Sequence, residues 1–435
     1  MIKKLVLVFI AVIAIHGYGQ QGTTSPYSFY GIGSLKFKGT VENRSMGGLS
    51  IYNDSIHVNL RNPASYAGDN LAIWGGESRP VKFAVGGSYT STDLESTNSS
   101  DNASSTSFDY LAINIPLSNK FGFGFGMLPY TSVGYKLESI NSGGNIDNRF
   151  EGEGGLNKAF FGFGYQLAKG LAAGVDFQYN FGNVQNSIVA YQYSDGVPTQ
   201  YQSRENNRSD LSGLNLNFGL SYKTMISKKL ELVSSLAFNP ESDLTSKNER
   251  SISTITINSA GQEFERNTIE ADLGAIGLEE TELVLPSKFS IGAGIGEPRK
   301  WFVGAETTFL KTSKFSNELF SNGTSYEDAY SFSLGGFYIP QYNSFSSYLK
   351  RIVYRAGIRT EETGLKINNE SIKEFGISFG VGIPVGDARL LSNANFGFEI
   401  GKRGTKNSNL IQENFINFQL SLSLNDRWFN KRKYD

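Results

Sequence analysis

The stretch FINFQLSLSLNDRW, from Phe415 to Trp428, constrains the fold more than any other part of the chain. Ile416, Phe418, Leu420, Leu422 and Leu424 occupy every second position. Asn417, Gln419, Ser421, Ser423 and Asn425 fill the positions between them. Side chains on a strand alternate between two faces, so this strand is apolar on one side and polar on the other. Trp428 and Phe429 sit at its edge, and the chain ends soon after. The pattern fits the closing strand of a transmembrane β-barrel, with lipid outside and a hydrated lumen inside. A soluble sandwich can also alternate, so the test is whether the rest of the chain repeats the pattern.

It does. Val81, Phe83, Val85 and Tyr89 share a face within Leu71–Thr92. Leu171, Ala173, Val175, Phe177, Tyr179 and Phe181 alternate with Ala172, Gly174, Asp176, Gln178, Asn180 and Gly182. Leu214 to Tyr222 and Phe375 to Ile383 behave alike. The reading is all-β: a transmembrane antiparallel barrel of about 14 strands, filling residues 71–435, with an N-terminal plug or hatch. Connections alternate between short (117–120, 168–170, 225–228, 297–300, 340–347, 385–388) and long. The polar stretches 91–107, 136–158 and 239–280 are expected to be loops, the last carrying the strand-like SISTITIN. Short periplasmic turns and long outer loops give such a rhythm, and an even strand number returns both ends to one side.

Lys3 and Lys4 precede a run of about 11 apolar residues and then Gly17 and Gly19, as in a secretory signal peptide over 1–19. A spanning helix needs ~20. An exported chain without helical spans can cross a membrane only as a closed barrel, which places it in the outer membrane of a Gram-negative bacterium. The net charge of −1 gives no field for nucleic acid. There is no cysteine, and signal cleavage would leave His57 as the last histidine. Thiol chemistry, disulfides and His-rich metal sites are therefore excluded. A serine triad would need His57, which has no nucleophile-elbow motif beside it. The chain reads as neither an enzyme nor a cofactor protein.

Residues 20–70 lack sustained alternation, yet Tyr27, Phe29, Tyr30, Met46, Leu49, Ile51 and Tyr52 need burial. Aromatics are scarce in true linkers, so this segment is expected to fold into the barrel mouth. Glycines within the staves, as in GFGFG (122–126) and GAGIG (292–296), sit in alternating strands and not before a helix. They are expected to make room for a plug and not to cradle phosphate. The alternation turns Asp176, Glu231, Glu306, Arg355, Arg359 and Glu399 inward, with Arg351 in phase. Ion pairs across the lumen are the expected role of these charges.

SMGGLSIYNDSIHVNLRNPASYA (45–67) resembles the N-terminal region of the FadL/TodX-like outer-membrane transport family. Its marks are Met46, Gly47 and Gly48, then Asn53 and Asp54, then Asn62, Pro63 and Ala64. LPSKFSIGAGI (285–295) is similar to that family's Leu-Pro step into a late strand. SPYSFYGIGSL and NDRWFNKRKYD are similar to a Bacteroidota branch. The resemblance implies passive uptake of hydrophobic small molecules, which leave sideways through a gap in the wall. It implies lipid and a hydrophobic solute as partners, with an apolar pocket near Tyr27, Phe29 and Tyr30. Two departures stand out: the inward staves are too polar for a continuous greasy tunnel, and no basic–aromatic cluster matches a carboxylate pocket. Some relatives are accessory subunits of larger outer-membrane machines. The alternative expectation is therefore a non-transporting barrel, a subunit or scaffold of a protein insertion or secretion complex.

Overall fold

Alternating side chains yield strands, and the pairing of the first strand with the last closes them into a cylinder. The computed structural model describes residues 22–67, 80–118, 120–258, 261–315, 325–385 and 392–426. In chain order the wall begins with β1 (Val81–Glu95), β2 (Ser100–Pro116), β3 (Phe121–Pro129), β4 (Thr131–Ile140), β5 (Ile146–Ala168) and β6 (Leu171–Ala190). It continues with β7 (Gln202–Met225), β8 (Glu231–Asn239), β9 (Ser242–Ile257), β10 (Glu263–Glu270), β11 (Glu280–Leu285) and β12 (Lys288–Glu297). It ends with β13 (Trp301–Leu310), β14 (Ala329–Tyr338), β15 (Val353–Ile367), β16 (Glu370–Pro384), β17 (Asn393–Gly404) and β18 (Gln412–Asp426). Two staves are built of two segments each, β3 with β4 and β8 with β9, and one of three, β10 with β11 and β12. The result is a closed antiparallel barrel of 14 strands, as the alternation predicts. β18 pairs with β1 from Asp426 opposite Val81 to Gln412 opposite Glu95. The signal peptide, residues 71–79 of the expected first strand, and Trp428 lie outside the described residues.

The strands are longer than the alternation indicates. β1 and β2 leave only 96–99 between them, and β4 and β5 only 141–145. Most of 91–107 and 136–158 is therefore strand and not loop. Above the lipid both faces of a stave meet water or polar neighbours, so the greasy period-two signal fades while the hydrogen-bonded ladder continues. SISTITIN lies in β9, which pairs with β10 from Ser251–Glu270 to Ile257–Glu263 and raises that hairpin above the barrel.

The two faces follow their expected chemistry. Phe177, Tyr179, Phe218 and Tyr222 are exposed on the outside, while Asp176, Gln178, Asn180 and Asn217 are buried within. On β18, Ile416 and Phe418 are exposed and Leu420 and Leu424 half-buried, whereas Leu422 on the same face is only 3% exposed. An open lipid-facing position is thus Phe418 and not Leu422. Arg351 also departs from expectation. It lies in a 3-10 turn (Leu349–Arg351) ahead of β15 and is not a stave residue.

Candidate functional site

The site begins with residues 22–67, whose partners are inward-facing residues of the wall. Residues 22–67 form short pieces held by their own caps. The helix α1 (Val41–Arg44) starts at a capping box in which Thr40 and Asn43 satisfy each other's backbone groups. Its C-cap is Ser45, and the turn that follows holds Gly47 and Gly48, whose φ angles of 72° and 88° favour glycine. Asn62 caps the 3-10 turn Pro63–Tyr66 by accepting from the Ala64 N–H at 2.9 Å. These turns lie against inward glycines of the wall. A β-carbon on Gly335 or Gly357 would strike the Met46 backbone, on Gly174 that of Pro63, and on Gly380 the Ser45 side chain. Tyr66 covers Gly122 and Gly124 of the GFGFG run, and Ile51 covers Gly292 and Gly304.

Ion pairs and hydrogen bonds tie the segment to staves around the barrel. Lys38 reaches Glu361 at 3.0 Å and Glu374 at 2.7 Å. Glu42 accepts from Asn395 at 2.6 Å, Ser421 at 3.2 Å and Ser423 at 3.1 Å. Arg44 meets Asp109 at 3.3 Å and Glu399 at 3.8 Å. Arg61 pairs with Glu306 at 2.7 Å, and the same carboxylate accepts from the Ser50 N–H and hydroxyl. Asn62 donates to Ser235 at 2.7 Å and to the Leu220 carbonyl at 3.0 Å. Arg359 lies at the centre, with Glu399 at 2.7 Å, Glu361 at 3.3 Å and Glu374 also bound. Glu231 pairs instead with Lys223 at 2.8 Å on its own wall, and Asp176 accepts from Asn217 at 3.0 Å. Buried ions must be paired, and a broken buried pair costs about 3–5 kcal/mol. Asp109 is a partner that simple alternation hides. A bulge opposite Gly86 and Gly87 turns both Asp109 and Tyr110 inward.

The wall itself carries a notch. β3 pairs with β2 only from Leu111–Met127 to Pro116–Gly122. Beyond Pro129 the stave leaves β2: β4 keeps β5 on one side, while Thr131 and Ser132 pair with Leu35 and Ser34 of the interior segment. Residues 131–135 are all buried, so protein covers both faces of the strand, as for a strand drawn into the lumen. Among the described residues, the part of β2 from Ser100 to Tyr110 has β1 as its one strand neighbour.

Above the notch, Tyr27, Phe29 and Tyr30 do not line a roomy pocket. Phe29 packs edge-on against Tyr30, Tyr135 and Phe150, with ring centroids 5.0, 5.1 and 5.9 Å away. Tyr27 donates to the Ile411 carbonyl and lies under Arg403, and burial pushes its hydroxyl up to about 12. The cavity beside Tyr27 and Tyr30 measures about 100 Å³. Ile32 fills an apolar layer with Val133, Tyr135, Leu156, Leu244 and Leu283. Met46 joins Leu49, Ile51, Val233 and Phe302 in another. Asn53 donates to Ser221 at 3.3 Å, and Asp54 holds the His57 ring at 2.7 Å. The other ring nitrogen of His57 has no hydrogen-bond partner, so no triad is assembled there. A basic–aromatic cluster does exist, unseen in the sequence because it joins distant segments. Lys158 sits 4.3 Å from the Tyr130 ring centre and close enough to Lys288 for their charges to repel. The Lys36 backbone donates to the Tyr130 carbonyl, and burial lowers the Lys36 ammonium to about 8.

Comparison with known proteins places this architecture. The Pseudomonas putida toluene transporter TodX is similar at a TM-score of 0.56 and 14% identity, over 91% of this chain and 99% of that one. The CymD monoaromatic hydrocarbon channel gives 0.53 and 13% over 90% and 97%. A Pseudomonas aeruginosa FadL homologue gives 0.53 and 10% over 90% and 99%. At such identities the likeness is one of fold, that of outer-membrane channels. No curated protein matches the chain in sequence. One family model, described as BamG, matches residues 1–435. Since that match runs the whole length of an outer-membrane barrel with the FadL fold, the chain belongs to the BamG family.

Proposed function

We propose that the protein is a sealed barrel, a non-transporting subunit of an outer-membrane protein insertion or secretion complex, with residues 22–67 as a fixed plug. The observation that carries this reading is the set of wall partners around the segment. The partners of Lys38, Glu42, Arg44 and Arg61 are spread over six staves, β2, β13, β15, β16, β17 and β18. Displacing the segment as a unit would leave several buried charges unpaired at once. The cavity of about 100 Å³ beside Tyr27 and Tyr30 also falls below the ~300–1,000 Å³ usual for a small-molecule site.

A second reading, passive uptake of hydrophobic molecules, draws support from the notch beside β4 and from Lys158 and Lys288. Half-buried amines of that kind suit the carboxylate of an amphipathic solute. A cross-link separates the two. Ser34 and Ser132 are register partners, so Ser34→Cys with Ser132→Cys places two thiols across an antiparallel pair, where a disulfide can close. The sealed reading predicts that the oxidised protein supports a deletion strain as well as the reduced one does. Loss of function on oxidation and recovery on reduction would show that the segment must move.

A further inference from the structure

At the end of the barrel carrying the short turns, periplasmic in barrels of this kind, the interior segment roofs a cavity of about 570 Å³. Its lining brings Arg351 and Arg355 together with Phe337, Tyr342, Tyr348 and Val353. Among the described residues, the two carboxylates on its wall are already committed. Glu42 accepts from three neutral side chains. Asp54 holds the His57 ring and accepts from the backbone N–H of Ile56 and His57. Lys82 donates to the Asp54 and His57 carbonyls at 2.7 and 2.8 Å.

The arginines differ from these groups. Arg355 is 7% exposed, and among the described residues its one side-chain hydrogen bond is to the neutral Asn395 at 3.2 Å. Arg351 lies over the Tyr348 ring at 4.9 Å, and its buried Nε has no hydrogen-bond partner. Neither guanidinium has a carboxylate within 4 Å among the described residues. Among the described residues these are two planar cations with no carboxylate in direct contact, Glu42 and Asp54 acting on Arg355 only from farther off, and in a largely aromatic and aliphatic wall they match a carboxylate on an apolar group. Residues of the interior segment between Thr40 and Ser65 supply much of its lining, which favours the end of a chain over its middle. Phe345 stands fully exposed at the rim, on the same turn as Tyr342 and Tyr348. An acid small enough to fit wholly inside would leave that ring bare, while a longer ligand emerging from the cavity would cover it.

We propose that this cavity binds the free C-terminus of a polypeptide ending in an apolar or aromatic residue. The proposal stands whether or not the barrel conducts solutes. The test uses the full mature protein in detergent micelles and a dye-labelled hexapeptide ending in phenylalanine, read by fluorescence anisotropy. The free-acid peptide is expected to bind, and the same peptide with an amidated end to bind at least about tenfold more weakly. Arg351→Gln lies outside the staves and leaves the barrel intact, as heat-modifiable migration would verify. It is expected to weaken the free-acid peptide by a similar factor, while Lys136→Gln at the opposite mouth changes nothing. Equal binding of acid and amide, an unaltered affinity in Arg351→Gln, or no binding at millimolar peptide would overturn the site. 3-Phenylpropionate competing as tightly as the peptide would overturn its assignment to a polypeptide.

Discussion

Arg359 holds three carboxylates on three strands, and Lys38 shares two of them. Replacing it with methionine keeps much of the volume and removes the charge, leaving Glu361, Glu374 and Glu399 crowded in the lumen. Arg359→Met is expected to lower stability by about 3–5 kcal/mol, seen as a lower temperature for loss of the compact, heat-modifiable form. Asp54 makes a pH-dependent prediction. Burial works against its charge, but the His57 ring, the Lys82 ammonium and a backbone N–H hold its carboxyl well below the usual carboxylate range. The unfolded value is ~3.9, so this contribution is complete above that pH and is lost only as pH falls through the lower folded value. Asp54→Asn should therefore cost stability at about pH 7 and nearly as much at about pH 5, and the gap should close only in strong acid. A gap that closes near neutrality would contradict the assignment. Asp176, Glu306, Arg355 and Glu399 are legible in the sequence because inward charge follows strand phase. Asp109 is not, because a bulge breaks the phase. Lys158 and Lys288 are not, because only the closed barrel brings them together.

Among the elements, β18 tests the outward face. Phe418 is 52% exposed and packs at a tilt against Phe398, with ring centroids 5.1 Å apart. Arginine on the lipid face costs ~2–4 kcal/mol at mid-membrane, so Phe418→Arg should impair assembly while Leu422→Arg tests packing instead. Normal heat-modifiable assembly of Phe418→Arg would count against the lipid-facing assignment. The existence and phase of the staves are legible because one face must meet lipid. Their outer ends are not, since β2 from Ser100 to Thr106 reads as polar loop while pairing with β1. The inward turn of β4 leaves equally little trace. Thr131 to Tyr135 still alternates weakly, and what buries it on both sides is the interior segment, far away in sequence.

For the whole molecule, the loop rhythm and even strand number carry the fold, and the match along the full chain carries the family. Whether such a barrel conducts depends on how tightly its contents are held, which no single segment states. The ion pairs of Lys38, Arg44 and Arg61 and the layer around Ile32 favour a closed molecule whose work lies at its surfaces. That claim is tested most directly by the native mass of the protein after gentle detergent extraction from its own membrane. A sealed subunit should migrate well above its own 47.7 kDa, with other proteins in fixed stoichiometry. A lone barrel near that mass, with no co-purifying chain, would contradict the account.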